Sequence, residues 1–73
     1  MSSFRAYIAG RRATDTPSGD FTADAKSDAN LPDAATWGEL RAYLERRGAD
    51  PAAISAARVV WRGYAAQLRR AHA

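Results

Sequence analysis

The most regular hydrophobic pattern of the chain is an apolar stripe in its C-terminal third. Six residues recur there at spacings of three and four: Ile54, Ala57, Trp61, Tyr64, Leu68 and Ala71. This spacing follows the period of an α-helix and places all six on one face. Asp50 and Pro51 precede the stripe as an N-cap residue and a first-turn proline. The sequence therefore predicts a long last helix that begins at Pro51 and buries this face.

A second helical pattern precedes the stripe and has its own start and stop signals. The segment Thr36-Trp37-Gly38-Glu39 has the form of a capping box, in which the threonine hydroxyl and the glutamate carboxylate each bind a backbone amide. Trp37, Leu40 and Leu44 then line one helical face. The segment Arg46-Arg47-Gly48 supplies cations and a glycine where a helix would end. We expect a helix between these two signals.

The N-terminal segment carries a shorter pattern of the same kind. Four residues recur at helical spacing: Phe4, Tyr7, Ile8 and Arg11. Either Ser2 or Ser3 can cap the helix, and Gly10 with the arginines that follow suits its C-terminal end. The pattern predicts a first helix over residues 3–11.

A further helix is predicted over residues 18–28, where Phe21 and Ala25 provide a thin apolar face. Two starts are open. Thr16-Pro17 offers a cap followed by a first-turn proline, whereas Ser18 offers a cap with Asp20 in the first turn.

These four helical segments, with no alternating strand pattern, predict an all-α fold. We expect a small four- to five-helix bundle that forms a single helical domain over residues 1–73. The chain breaks at Asn30-Leu31-Pro32-Asp33, because proline disfavours a helical residue before it. The large apolar residues are sufficient for one core: Phe4, Tyr7, Ile8, Phe21, Leu31, Trp37, Leu40, Leu44, Ile54, Trp61, Tyr64 and Leu68.

The net charge of +3 is distributed unevenly along the chain. Residues 1–14 carry +3, residues 15–33 carry −4, and residues 41–73 carry +5. Ten of the eleven cations are arginines, a bias that a GC-rich genome also produces. Such asymmetry gives information about partners and association rather than about fold.

Helical geometry gathers these charges into two candidate interaction surfaces. The acidic set lies on one face of the second helix and consists of Asp20, Asp24 and Asp28. The basic set consists of Arg46, Arg47, Arg58, Arg62 and Arg69. Arg58, Arg62 and Arg69 lie within about 40° of one another beside the apolar stripe. Guanidinium groups bind carboxylates and phosphates, so the basic set favours a protein or a nucleic-acid partner; an ordinary solvated face is the alternative.

No group of residues in the chain is typical of an enzyme or of a metal site. There is no cysteine, and the one histidine, His72, is the penultimate residue, so neither a metal site nor a serine nucleophile has the partners it needs. The aspartates lack the spacing of a calcium-binding loop, and no glycine-rich phosphate loop occurs. We expect no catalytic residue, no cofactor, no metal and no small-molecule substrate.

The lengths of the hydrophobic runs also give information about the cellular location of the protein. None approaches the roughly 20 apolar residues that cross a bilayer, and the N-terminal segment lacks the regions of a secretory signal. The absence of cysteine is typical of a reducing compartment. We expect a cytoplasmic protein without membrane association.

Taken in order, the residues of the chain resemble a known family. The matching residues are Ser3-Phe4-x-x-Tyr7, Arg11-Arg12, Asp15, Gly19-Asp20-Phe21, Asp24, Asp28, Leu31-Pro32, Trp37, Leu40, Tyr43-Leu44-Glu45 and Trp61-x-x-Tyr64. In their order and spacing they are similar to the YozE family of small bacterial proteins. The resemblance implies a compact bundle with a sterile-alpha-motif-like fold, and it implies no established activity.

Three functions are compatible with these observations. The first is a protein-interaction module, self-associating or binding another protein, in which an acidic middle surface meets a basic last helix; sterile-alpha-type domains commonly associate in this way. The second is nucleic-acid binding by the arginine-rich last helix. The third is a small inhibitor of host defence encoded by a phage or mobile element, similar in role to an anti-CRISPR protein.

Overall fold

The computed structural model describes residues 3–71 and contains four α-helices in that range. They are α1 (Phe4–Ala9), α2 (Pro17–Ser27), α3 (Trp37–Arg46) and α4 (Pro51–Ala71). The predicted all-α bundle is therefore confirmed, with four helices. None of these helices combines the length and the apolar composition that spanning a bilayer requires. The expectations for Ser2 and His72 fall outside the described residues.

Side-chain caps define where α2 and α4 begin. The Thr16 hydroxyl accepts a hydrogen bond from the Gly19 amide at 3.0 Å, so the helix starts with Thr16-Pro17, one residue before the predicted range. The Asp50 carboxylate accepts from the Ala53 amide at 2.8 Å. Each cap satisfies an amide that has no partner inside its own helix.

The ends of α3 depend on equally local contacts. Thr36 accepts from the Glu39 amide at 3.2 Å, while the Glu39 carboxylate accepts from Ala35 rather than from Thr36. The second bond of the predicted capping box is thus displaced by one residue. At the other end, Gly48 has a φ of +79°. The amide of Ala49 bonds back to the carbonyl of Leu44 at 3.0 Å, which closes the helix in the way a C′ glycine allows.

The first helix is shorter than predicted. It begins after the Ser3 cap as expected but ends at Ala9, so the predicted range of 3–11 is wrong at its C-terminal end. Arg11 lies beyond the helix, where its guanidinium donates to the Thr22 hydroxyl at 3.1 Å and to the Tyr7 hydroxyl at 3.2 Å. These bonds draw Arg11 towards α2 instead of along the axis of α1.

The core lies around α4, which packs against α2 and α3, while α1 packs against α2. Aromatic rings join α1 to α4: Phe4 lies 5.1 Å from Trp61 and 5.5 Å from Tyr64, centroid to centroid. Tyr7 lies 5.4 Å from Tyr64. The tilted and edge-on geometries of these pairs are those that aromatic rings prefer.

The buried face of α4 is broader than the predicted stripe. Trp61 and Tyr64 are buried as expected, whereas Ala71, the last residue of the stripe, is exposed. Val60, which the stripe omits, is completely buried. The reason is that α4 has neighbours on more than one side, so a second row of residues beside the stripe is also covered. Ile54 is only half-buried.

Candidate functional site

A shallow groove of about 420 Å³ runs between α3 and α4. We call it the α3–α4 groove, and its lining residues are Trp37, Arg41, Ile54, Ser55, Arg58, Val59 and Arg62. Its volume lies within the range of ligand-binding clefts, roughly 300–1,000 Å³. The groove combines apolar side chains with three arginines.

Helical periodicity explains why these residues meet. Trp37 and Arg41 are one turn apart on α3, and Ile54, Arg58 and Arg62 are successive turns of α4. Side chains four residues apart lie above one another on a helix, so each of these sets forms one row of side chains, and Ser55 and Val59 form a further row beside the one on α4. The rows of the two helices face each other because α3 packs against α4.

Arg58 is held in place by an aromatic ring rather than by a carboxylate. Its guanidinium carbon lies 5.1 Å from the centroid of the Trp37 ring, within cation–π distance. Within residues 3–71, the ion pairs are Arg41–Glu45 at 3.4 Å and Arg47–Asp28 at 3.2 Å. Arg58 and Arg62 therefore have no carboxylate partner in that part of the chain, and their charge is available to a ligand.

Trp37 and Val59 give the groove its apolar character. Trp37 packs against the edge of the core but is only half-buried, so the prediction that it belongs to the interior is wrong for part of its ring. Val59 is 54% exposed, and no other large hydrophobic side chain in the described range is exposed. The two lie in the same groove and form an accessible apolar surface.

The structure distributes the predicted basic set over several places. Arg58 and Arg62 line the groove, Arg47 lies in a different cleft, and Arg46 and Arg69 are exposed and line neither. Arg41 was not among the predicted residues. The signal that could have identified it is its position four residues after Trp37, which places both on one face of α3.

The acidic set is also divided. The prediction that Asp28 shares a helical face with Asp20 and Asp24 is wrong, because α2 ends at Ser27 and Asp28 is its C-cap with an extended backbone. Asp20 and Asp24 are exposed on α2, and Asp24 lines the same cleft between α2 and α3 as Asp28. The carboxylate of Asp28 instead contacts the C-terminal part of α3.

Asp28, Tyr43 and Arg47 form a polar cluster at one edge of a second cleft, between α2 and α3. The Asp28 carboxylate accepts hydrogen bonds from the Tyr43 hydroxyl, from the Arg47 guanidinium at 3.2 and 3.3 Å, and from the Asn30 amide at 2.9 Å. The Arg47 guanidinium also lies 5.4 Å from the Tyr43 ring centroid. The cluster joins the end of α2 to the end of α3.

These contacts shift the pKa values of the cluster. The hydrogen bond from Tyr43, the Asn30 amide and the Arg47 charge hold the pKa of Asp28 below its usual range. The hydrogen bond to Asp28 raises the pKa of Tyr43, and the Asp28 charge raises the pKa of Arg47. All three shifts favour the state with ionised Asp28, neutral Tyr43 and charged Arg47.

We expect Asp28 to make folding stability depend on pH in the acid range. Because the folded state lowers its pKa, the unfolded chain binds more protons there, so stability increases with pH. The contribution is present above about pH 4 and is lost as pH falls through the lowered pKa of the folded state. Asp28→Asn should remove it, so that the difference in unfolding free energy between wild type and variant decreases below about pH 4.

The matched control is Asp24→Asn, since Asp24 is exposed and pairs with no cation in residues 3–71. Urea denaturation followed by circular dichroism at several pH values measures both variants. Equal pH dependence in the two variants would show that the cluster does not stabilise the fold.

The arrangement is suited to recognition. Among the described residues, no three histidine, cysteine, aspartate or glutamate side chains come together as metal ligands. Each buried side-chain nitrogen or oxygen atom within residues 3–71 has a hydrogen-bond partner. Arg58 and Arg62 of the α3–α4 groove and Asp20 and Asp24 of α2 are exposed charged side chains without an ion pair in residues 3–71.

Comparison with known proteins gives one result for the whole bundle. A family model described as the YozE SAM-like fold matches residues 3–66, which include α1, α2, α3 and most of α4. Comparisons with curated proteins and with solved structures return no match.

Proposed function

Since the chain belongs to the YozE SAM-like fold family, we propose that it is a non-enzymatic protein-interaction module. It contacts its partner through the basic α3–α4 groove, and the acidic surface of α2 formed by Asp20 and Asp24 is a second contact surface. The absence of cysteine supports a cytoplasmic place of action.

The observation that carries this proposal is a pair of arginines without a carboxylate partner beside the exposed Val59 and the half-buried Trp37. Arg58 and Arg62 have no carboxylate within ion-pair distance in residues 3–71, and Val59 between them in sequence is largely exposed. Arginine and accessible apolar side chains together are typical of protein interfaces.

Opposite charges on α2 and α4 also suit association between copies of the chain. Asp20 and Asp24 have no ion pair in the part of the chain that the structure describes, and the arginines of α4 can bind carboxylates bidentately. Electrostatic complementarity mainly sets encounter rate and register, so such contacts weaken as salt rises. Sedimentation velocity at low and high salt distinguishes self-association from binding to a different protein.

We expect the double variant Arg58→Glu/Arg62→Glu to lose at least about tenfold in affinity for the protein partner. It places two carboxylates where the partner's carboxylates would bind. Affinity capture from the native host, followed by titration of the purified partner or of the chain with itself, measures the loss.

A charge-matched control is Arg12→Glu/Arg70→Glu, because both residues are exposed and neither lines the groove. The net charge changes equally in the two double variants. An equal loss of affinity in both double variants would show that the effect comes from net charge, and it would contradict a role of the groove.

Nucleic-acid binding is a second candidate, which the partly exposed Trp37 ring beside three arginines favours. Bases stack on such rings while arginines contact phosphates. This candidate predicts that DNA or RNA is retarded in a gel at about 50 mM salt and that the logarithm of the affinity falls linearly with log salt. Arg62→Glu should abolish the retardation. The exposed Asp20 and Asp24 oppose this candidate, because they repel phosphate.

A further inference from the structure

We infer that the α3–α4 groove binds a short acidic peptide segment that carries one large apolar side chain between its carboxylates. The inference rests on the proposed interaction function and adds the chemistry of the segment that the groove accepts.

The seat for the apolar side chain is formed by Val59, Ile54 and the open part of Trp37. Val59 is 54% exposed and lies outside the hydrophobic core. Valine also favours a helix less than alanine, glutamate or lysine, so neither core packing nor helix propensity explains it at this position. A partner side chain that covers Val59 and Ile54 removes apolar surface from water, which favours binding.

Arginine side chains lie on both walls of the groove beside this seat. Arg58 and Arg62 occupy the α4 wall, and Arg41 occupies the α3 wall. The stacking of Arg58 on Trp37 limits the freedom of its guanidinium before any ligand arrives, so less side-chain entropy is lost when a carboxylate binds. A segment with carboxylates before and after its apolar residue matches this arrangement, whereas a basic segment is repelled.

Arg41 shares its charge with Glu45, and this pair does not block the α3 wall. The two side chains are 3.4 Å apart, four residues apart in sequence, and both are more than half exposed. Exposed pairs of this type contribute little to stability. A carboxylate of the partner can therefore bind Arg41 together with Glu45 or in place of it.

The aliphatic part of the groove favours a peptide over a nucleic acid. Phosphates would use the three arginines, and a base could stack on Trp37. Ile54 and Val59 offer no aromatic face, so a nucleic acid leaves this part of the groove without a stacking partner. A side chain such as phenylalanine or leucine covers it.

The test measures binding of three dye-labelled five-residue peptides to the full chain by fluorescence polarisation. The first peptide has a central phenylalanine between four acidic residues. The second replaces phenylalanine by alanine, and the third replaces each acidic residue by its amide. We expect the first peptide to bind at least about tenfold more tightly than either of the others.

Two variants assign the discrimination to the groove. Val59→Ser should reduce the preference for phenylalanine over alanine to below about threefold, because it removes the exposed apolar side chain. Arg58→Gln/Arg62→Gln should reduce the preference for acidic over amide flanks to a similarly low value, because it removes the cations without adding carboxylates. All the replaced side chains are exposed, and circular dichroism confirms that each variant is folded.

Three results would overturn the inference. They are equal binding of the phenylalanine and alanine peptides, equal binding of the acidic and amide peptides, and tighter binding of an oligothymidylate than of the first peptide. If one of these occurs while Arg58→Glu/Arg62→Glu still loses a protein partner, the inference fails and the proposed function stands. If that double variant also retains its partner, both fail.

Discussion

Trp61→Ala is expected to lower the free energy of unfolding by about 3–5 kcal/mol, the usual cost of truncating a buried tryptophan. Trp61 is 9% exposed, and its ring lies 5.1 Å from both Phe4 and Tyr64, centroid to centroid. Removing it opens a cavity between α1 and α4. In a domain below about 70–80 residues a single hydrophobic core rarely supplies more than about 3–5 kcal/mol, so we expect much of the variant to be unfolded at 25 °C. Thermal denaturation followed by circular dichroism measures this loss.

Trp37→Ala is the matched control for Trp61→Ala, because the same side chain is removed from a half-buried position. We expect a cost of no more than about half as much, since Trp37 packs against the edge of the core and Arg58 covers part of its ring. Equal destabilisation by the two substitutions would show that the division between interior and groove is wrong.

Gly19→Ala is expected to be the second strongly destabilising change, at a cost of at least about 2 kcal/mol. Gly19 lies in the first turn of α2, and the chain before the helix passes directly over it. A Cβ atom at this position would lie 1.9 Å from the backbone oxygen of Thr14 and 2.5 Å from its carbonyl carbon. These are backbone atoms, so the clash is relieved only if the connection between α1 and α2 moves.

Gly38→Ala is the matched control, since Gly38 also lies in the first turn of a helix and is exposed. Its nearest neighbour to an added Cβ is the Thr36 hydroxyl oxygen at 3.8 Å, an ordinary contact. Alanine favours a helix over glycine by up to about 1 kcal/mol, so this variant should be unchanged or slightly more stable. For a domain of this size each kcal/mol corresponds to about 4–8 °C in Tm. A Gly19→Ala variant with the Tm of wild type would disprove the close passage of Thr14.

Substitutions at Trp61 and Gly19 distinguish effects on folding from effects on the interaction surface in functional assays. Variants at Trp61 and Gly19 should lose partner binding together with the helical dichroism signal. Variants at Val59, Arg58 and Arg62 should lose binding while the signal is retained, because these side chains are exposed on a folded helix. Mutational studies of the interface should therefore be restricted to the groove and should report stability for each variant.

The helix starts follow directly from the sequence. Thr16, Thr36 and Asp50 cap α2, α3 and α4, and Gly48 ends α3 with a positive φ. Each of these signals acts over three to five residues, so it can be read without knowledge of the rest of the chain. The all-α class and burial of Trp61 and Tyr64 follow from the same kind of local periodicity.

The site depends on contacts between distant parts of the chain. Asp28 and Asp24 look equivalent in the sequence, yet only Asp28 meets Arg47, nineteen residues away, after the chain leaves α2. Arg41 joins Arg58 and Arg62 because α3 packs against α4.

The periodicity of one helix thus determines which residues share a face, but not which other helix covers that face. The burial of Val60 and the exposure of Val59 show the consequence, since the two are adjacent in sequence and similar in any hydrophobic pattern. The sequence determined the helices and most of their caps. Only tertiary packing decided which charges are paired within the chain and which apolar residues remain open to a partner, because both depend on the neighbours that each helix face meets.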